Sequence, residues 1–534
     1  MGAGPLRAEG PLSAIGWLSD SVTTPKGAIA PQNPAGLPAP GSKLPRGSAL
    51  PASVPLPRKL PDEPAVTKDA NPAPITATIL GKPAPDGVGL LPSARTGLPH
   101  RLWALARSED IARRITAART DTLPALQGLL MTLLLAESEP PFDSGGRDML
   151  LLARVDKLLS LGALDQAMAL TGLATPPSSE LFRRRFDIAL LTGTEDTACT
   201  EIQTAPHLAP TLPARIFCLA RAGDWQAAAL TLATSQALGQ VPEAEEELLI
   251  RFLDPAAADE AAPLPAPDQP TPLTWRMYEA IGEPLPSLGL PLAFAHADLQ
   301  PQAGWKAQLE AAERLARASA LPAGRLLALY TERRPAASGG VWDRVAAVQR
   351  FDRALDGATA QPVAQAVAEA LPAAWQAMTE AQLEAPFAQL YGKRLMALPL
   401  EGEAAQLAFR IALLSPEYRA AAEARALMLP SPDLTEAFLI GVTRGQLAGL
   451  AAPDSMSRAI APAFLAPQIT EEAQRLLDER RVGEALLLAM EDLGRGVTGD
   501  PRGVAEGLSL LRKLGLEDVA RRTALELLLL ERRG

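Results

Sequence analysis

Apolar and polar residues alternate with helical spacing along most of the chain after residue 107. Alanine and leucine fill the apolar positions, whereas runs of the β-branched and aromatic residues that strands prefer are scarce. An apolar stripe that recurs every three to four residues lets a helix bury one side against a neighbour. The pattern predicts an all-α protein, with roughly 16–20 helices in residues 100–534.

A short motif recurs where these predicted helices meet. In it, a glycine precedes an acidic residue at the start of the next helix, and an alanine follows five positions after the glycine. The pairs are Gly162 and Ala167, Gly193 and Ala198, Gly223 and Ala228, and Gly515 and Ala520. Residues 475–494 contain a degenerate copy, with Arg480 at the glycine position. A left-handed glycine ends one helix, and the small alanine lets the next helix pack closely.

The first three copies lie about thirty residues apart, which is similar to the period of tetratricopeptide (TPR) repeats. The likeness is loose, because the tyrosine and proline of the TPR consensus are absent. It predicts an α-solenoid of divergent TPR-like helical hairpins, preceded by a disordered Pro-rich N-terminal tether. The predicted segments are an amphipathic segment at 1–22, a Pro-rich linker at 23–74, an extended segment packing on the helical body at 75–106, TPR-like repeats at 107–253, a Pro-rich irregular insert at 254–304 and a second helical-repeat block at 305–534.

The chain contains two cysteines, Cys199 and Cys218, on helices that the pattern pairs. Adjacent antiparallel helices bring such positions within the Cα separation of about 5–6 Å that a disulfide needs. Two reduced cysteines buried in the core are the alternative. A metal site is disfavoured, because no CxxC spacing occurs and His207 is the nearby imidazole. No cofactor motif is present either, so we expect no cofactor.

Charge and composition exclude several classes of function. The net charge of −10 disfavours a nucleic-acid-binding surface, and no apolar run reaches the length of a membrane span. No motif positions a catalytic nucleophile or a metal, so we expect a protein that is not an enzyme.

Leu6–Ala8 followed by an acidic residue is similar to the end of a signal peptide without its apolar region. Together with the disulfide, this favours the periplasm; a cytoplasmic protein is the alternative.

Two segments have the composition of protein-binding sites, in which tryptophan and arginine are enriched. The first surrounds a Gly-Gly loop and contains Arg333, Arg334, Trp342, Asp343 and Arg344. The second is the N-terminal amphipathic segment, with Ile15, Trp17 and Leu18. The alternative for the first segment is a tight helix connection with a packed tryptophan and solvated ion pairs.

Four stretches, EGPLSAIGWLSDSV, PDGVGLLPSARTGLP, LPARIFCLARAGDW and TERRPAASGGVWDRVAAVQR, resemble a family of α-proteobacterial helical-repeat proteins, some of which are labelled "antifreeze glycopeptide polyprotein". Antifreeze glycopeptides are long Ala-Ala-Thr repeats, a period that this chain lacks, so the resemblance implies no activity. The sequence predicts a non-catalytic scaffold or adaptor of the cell envelope that binds an unknown protein partner. The alternative is a periplasmic glycan-acting enzyme, similar to a lytic transglycosylase, with an unrecognised carboxylate site.

Overall fold

The computed structural model describes residues 84–254, 262–358, 361–429 and 431–530. Helices make up 66% of these residues, and no strand occurs among them. One isolated parallel bridge joins Leu91 to Ala136. The all-α class is therefore confirmed for this part of the chain. The predicted linker at 23–74 and the residues Ile15, Trp17 and Leu18 lie outside the described residues.

The helices are numbered α1 to α25 along the described ranges. The first thirteen are α1 (Ser93–Thr96), α2 (Ser108–Ala117), α3 (Pro124–Leu135), α4 (Met149–Ser160), α5 (Leu164–Thr171), α6 (Ser179–Thr192), α7 (Glu195–Thr204), α8 (Leu212–Arg221), α9 (Trp225–Ala237), α10 (Glu243–Leu253), α11 (Pro272–Ala280), α12 (Ala295–Asp298) and α13 (Trp305–Arg317). The others are α14 (Ala323–Glu332), α15 (Val341–Leu355), α16 (Val363–Glu380), α17 (Glu384–Met396), α18 (Gly402–Leu413), α19 (Tyr418–Met428), α20 (Leu434–Arg444), α21 (Ser455–Leu465), α22 (Glu471–Asp478), α23 (Val482–Val497), α24 (Pro501–Lys513) and α25 (Glu517–Leu529).

The predicted number of helices was too low, since 25 occur in the described ranges alone. The difference arises where proline and glycine divide apolar stretches that look continuous in the sequence. Pro432, for example, lies between α19 and α20, and the left-handed Gly445 ends α20. Proline removes a backbone donor, and a left-handed glycine reverses the chain, so both end a helix early.

The turn motif has the backbone geometry that the sequence predicts. Gly162, Gly193, Gly223 and Gly515 have φ angles between 72° and 82°. The alanines five positions later are all buried, at 0–6% exposure. Arg480, at the glycine position of the degenerate copy, also has a positive φ of 58°, and Ala485 after it is fully buried. Arginine rarely adopts the left-handed backbone conformation. This copy therefore retains the turn although it lacks the glycine that favours it.

Helices that follow one another in sequence pack together along the chain, as α8 does with α9 and α23 with α24. The first and last parts of the described chain also meet, because α3 contacts α25 and α2 contacts α23. The backbone N–H of Ala125 donates to both carboxylate oxygens of Glu526, at 3.0 and 2.9 Å. A Cβ on Gly483 would collide with the fully buried ring of Trp103. These contacts between distant helices occur in addition to the contacts between successive helices that define a repeat array.

Residues 84–106 run along this helical body and are attached to it by a buried arginine. The guanidinium of Arg154 on α4 donates to three backbone oxygens, those of Leu134 at 2.6 Å, Val88 at 2.7 Å and Ala136 at 3.0 Å. Asp86 is also fully buried and accepts from the backbone N–H of Leu151 at 2.9 Å. Arg154 thereby ties the segment to the end of α3, where a carbonyl group would otherwise lack an intrahelical partner.

Most buried apolar side chains belong to one cluster that extends from Val88 to Leu530. A second cluster lies between Phe182 and Tyr278 and includes both cysteines. The disulfide is therefore part of a core of its own, formed mainly by α6 to α11.

Candidate functional site

The two cysteines form a disulfide between α7 and α8. Their Cα atoms are 5.0 Å apart, and the side chains of Cys199 and Cys218 are 3% and 1% exposed. Of the two possibilities that the sequence left open, the structure contains the bridge. The disulfide is buried in the second apolar cluster, so it links two helices of that core and is poorly accessible to a redox partner.

Arg344, one of the predicted interaction residues, forms an internal ion pair. Its guanidinium donates to both oxygens of the Glu313 carboxylate, at 2.9 and 2.5 Å. The Tyr330 hydroxyl donates to the same carboxylate at 2.6 Å. Glu313 is only 3% exposed, and burial followed by this negative neighbour raises the pKa of Tyr330 well above its ordinary value. The three side chains connect α13, α14 and α15.

The other residues of this segment are divided between packing and solvent. Trp342 is half-buried, and its ring centroid lies 5.2 Å from that of Trp305. Arg333, Arg334 and Asp343 are exposed, and Arg333 pairs with the neighbouring Glu332 at 3.0 Å. The structure thus brings the five residues to one helix connection, where three of them face solvent. Their role in partner binding remains a prediction.

Replacing Arg344 with alanine should lower the free energy of unfolding by about 2–4 kcal/mol, because it leaves the Glu313 carboxylate buried without its guanidinium. The double change Arg333→Ala and Arg334→Ala should alter it by less than about 0.5 kcal/mol, as is usual at exposed sites. Urea unfolding of both variants measures the difference. Equal losses would mean that the whole loop is structural.

Helix α9 has a feature that the sequence analysis missed. Residues 225–238 contain no charged side chain, yet most of the helix is exposed. Trp225 is 51% exposed, Leu230 69% and Leu238 63%. Within α9, only Ala228, Leu232 and Ser235 are buried. In the sequence this helix appears only as an uncharged stretch of apolar and small polar residues, which is equally typical of a buried helix.

The exposed apolar side chains of α9 lie on one face. Trp225, Ala229, Ala233 and Ala237 follow one another at intervals of four residues, and Leu230 lies beside them. We call these five residues the α9 face. Its three alanines leave a shallow strip between the larger side chains of Trp225 and Leu230. Exposed apolar surface of this kind is typical of a protein interface.

The described ranges contain no group of three or more histidine, cysteine, aspartate or glutamate side chains that could hold a metal ion. Lytic transglycosylases carry a catalytic glutamate in a Glu-Ser pair, and the chain has such a pair at Glu137-Ser138. Glu137 is exposed beside the bridge at Ala136. His296 is half-buried instead and hydrogen-bonds through Nε2 to the backbone oxygen of Gly162 at 2.6 Å. Desolvation lowers the pKa of His296 below its ordinary value, which favours the neutral imidazole.

No described helix has the length and apolar character to cross a membrane. No protein-family model matches the sequence, and neither a curated protein nor a solved structure is significantly similar to it.

Proposed function

We propose that this protein is a non-catalytic scaffold or adaptor of the cell envelope, an α-solenoid of divergent TPR-like hairpins that binds another protein. The observation that carries the proposal is the α9 face. Trp225 and Leu230, at 51% and 69% exposure, border a strip of alanines on a helix without charges. Tryptophan is enriched among the residues that contribute most to binding energy, and burying such side chains is strongly favourable.

The chemistry of the α9 face defines the partner segment. Because the face has no charge, a partner that buried a charge against it would leave that charge unpaired. The small alanines between Trp225 and Leu230 allow another backbone to approach closely. A helix with an apolar face satisfies both conditions, and helix-on-helix packing is the usual mode for such surfaces. We therefore propose an amphipathic helix of another protein as the occupant.

Two further groups extend the proposed interface. Arg333, Arg334 and Asp343 are exposed charges that suit a polar contact with the same partner. The residues Ile15, Trp17 and Leu18 lie outside the described ranges, and their part in docking a partner rests on the sequence pattern alone.

We place the protein in the periplasm because buried disulfides form and persist in oxidising compartments. The cytoplasm is the alternative location. The proposed glycan-acting enzyme is the alternative function, and its carboxylate pair has no specific support among the described residues. Release of soluble muropeptides from purified sacculi by the wild-type chain would contradict the non-catalytic proposal.

The proposal is tested by a photo-crosslinking amino acid placed at position 230 and, in a separate variant, at position 427. Leu427 is 85% exposed on α19 and is the matched control. We expect one protein to crosslink from position 230 in cells, through a segment with an apolar helical face, and not from position 427. Adding Trp225→Glu should abolish that crosslink while the melting temperature stays within a few degrees.

Other outcomes would contradict the proposal. Crosslinking of the chain to itself, together with a dimer in sedimentation that Trp225→Glu dissociates, would make the α9 face a homodimer interface. Equal crosslinking from both positions would mean non-specific contact.

A further inference from the structure

A cavity of about 200 Å³ lies among six helices in the C-terminal half of the chain. Its walls come from α16, α17, α18, α20, α21 and α25. Polar atoms form more of its lining than apolar atoms do. At about 30 Å³ for each water in the liquid, the space is that of about six or seven waters. A ligand the size of a single sugar ring fits within such a volume.

Two hydroxyl groups of the lining are buried without a partner. Ser457 on α21 is 0% exposed, and its Oγ has no hydrogen-bond partner among the described residues. The buried Oγ1 of Thr379 on α16 likewise has none within the described ranges. A buried hydroxyl that makes no hydrogen bond costs free energy, and native proteins have few of them. Two in the lining of one cavity therefore indicate a place for polar groups of a ligand.

The charged residues of the lining have partners or reach the solvent. Glu384 is buried at 3% exposure and interacts within the protein. Asp454 and Arg410 have opposite charges and are exposed. Asp454 is also the N-cap of α21 and accepts from the backbone N–H of Ser457 at 2.7 Å. No buried charge of this lining lacks a partner, so the lining favours a neutral ligand over an ion.

Aromatic and aliphatic side chains form the rest of the lining. Trp375 on α16 is half-buried, and its ring packs against that of Phe387 at a centroid distance of 5.9 Å. Phe438 and Leu439 on α20 add buried apolar surface. An indole ring offers a broad apolar face with a single polar edge. The cavity thus combines a surface that suits C–H groups with hydroxyls that need hydrogen-bond partners, a combination typical of small-molecule sites.

We propose that this cavity binds a neutral cyclic polyol of the size of a monosaccharide, such as a pyranose sugar. Such a ring carries hydroxyl groups around its edge and C–H bonds on its two faces. Its hydroxyls hydrogen-bond to Ser457 and Thr379, since a hydroxyl both donates and accepts. One C–H face packs against Trp375. The site is independent of the α9 face, because none of the residues that line it belongs to α9.

Ligand binding to the full-length wild-type protein tests the proposal. The probes are glucose, galactose, mannose and their methyl glycosides. Cyclohexanol is the matched compound, because its six-membered ring bears a single hydroxyl. By saturation-transfer NMR titration, we expect at least one sugar to bind in the millimolar range, as is usual for a ligand of this size. That sugar should bind about tenfold more tightly than cyclohexanol, since it makes additional hydrogen bonds.

The outcomes separate the possible sources of the sugar. Equal affinity for a methyl glycoside and its free sugar would support the terminal residue of a glycan as the ligand, whereas preference for the free sugar would support a monosaccharide. Binding of none of the sugars, or equal binding of cyclohexanol, would overturn the proposal. The first of these two results means that the cavity holds water only.

Variants then locate the sugar. Ser457→Ala and Thr379→Val should each weaken sugar binding by about fivefold, the effect of one hydrogen bond. Both should leave the melting temperature unchanged or slightly higher, because neither hydroxyl has a partner in the described part of the chain. Ser455→Ala is the matched control, since Ser455 is exposed on α21 and does not line the cavity. Unchanged sugar affinity in both folded variants would disprove the assignment. Trp225→Glu should leave sugar binding intact, which separates this site from the proposed protein interface.

Discussion

Replacing Arg154 with methionine is expected to lower the free energy of unfolding by about 4–5 kcal/mol, the largest effect of any single change considered. Methionine fills similar space but donates no hydrogen bonds. The backbone oxygens of Val88, Leu134 and Ala136 would each lose a donor in an interior where water cannot replace it. Buried Asp86 would lose a nearby positive charge as well.

Burial lowers the pKa of Arg154 only to about 10, so the side chain is still charged at neutral pH. The loss of stability caused by Arg154→Met should therefore be present throughout the physiological pH range. Hydrogen exchange should also accelerate first in residues 84–106, because Arg154 attaches this segment to α3. Arg147→Met is the matched control: Arg147 is exposed seven residues away, and its replacement should change stability by less than about 1 kcal/mol. If both variants unfold alike, the buried guanidinium has no special role.

Removing the disulfide by the double change Cys199→Ala and Cys218→Ala is expected to cost about 3 kcal/mol, since the bridge closes a loop with a sequence separation of 19. The reason is that the unfolded chain gains freedom when the loop opens. The loss should be local, because both cysteines belong to the apolar cluster between Phe182 and Tyr278. Hydrogen exchange should therefore rise in α7 and α8 and remain unchanged in α23 and α24.

Reduction of the wild-type protein provides the control, since it opens the bridge without changing any side chain beyond sulfur. It should reproduce the local loss of protection. Thiol counting on denatured protein taken from cells, with and without reductant, tests the compartment at the same time. Two free thiols without reductant would favour the cytoplasm and contradict the proposed location.

Much of the local structure follows from the sequence alone. The positive φ angles at Gly162, Gly193, Gly223 and Gly515 were predicted from the turn motif, and so was the turn at Arg480. Cys199 and Cys218 could be paired as one of two alternatives, because hairpin spacing limits which positions meet. These features depend on residues close in sequence, where backbone sterics and helical periodicity dominate.

The sites proposed for function were much less accessible to sequence reasoning. Arg344 was grouped with its exposed neighbours because a pattern cannot distinguish a solvated arginine from one that pairs with Glu313, 31 positions away. Helix α9 was assigned its correct type, but its exposure was not foreseen. An apolar helix is normally buried, so only the positions of its neighbours reveal an uncovered face.

The sequence by itself determined the helical class, the repeated turns and the cysteines that could meet. Tertiary structure alone decided which distant segments touch: Glu526 reaches the start of α3, Trp103 covers Gly483, and Thr379 and Ser457 come to line one cavity. The physical reason is that local propensity acts within a few residues, whereas these contacts join residues up to 401 positions apart. Such contacts depend on how every intervening helix packs. A short sequence pattern cannot predict the combined effect of all these packing arrangements.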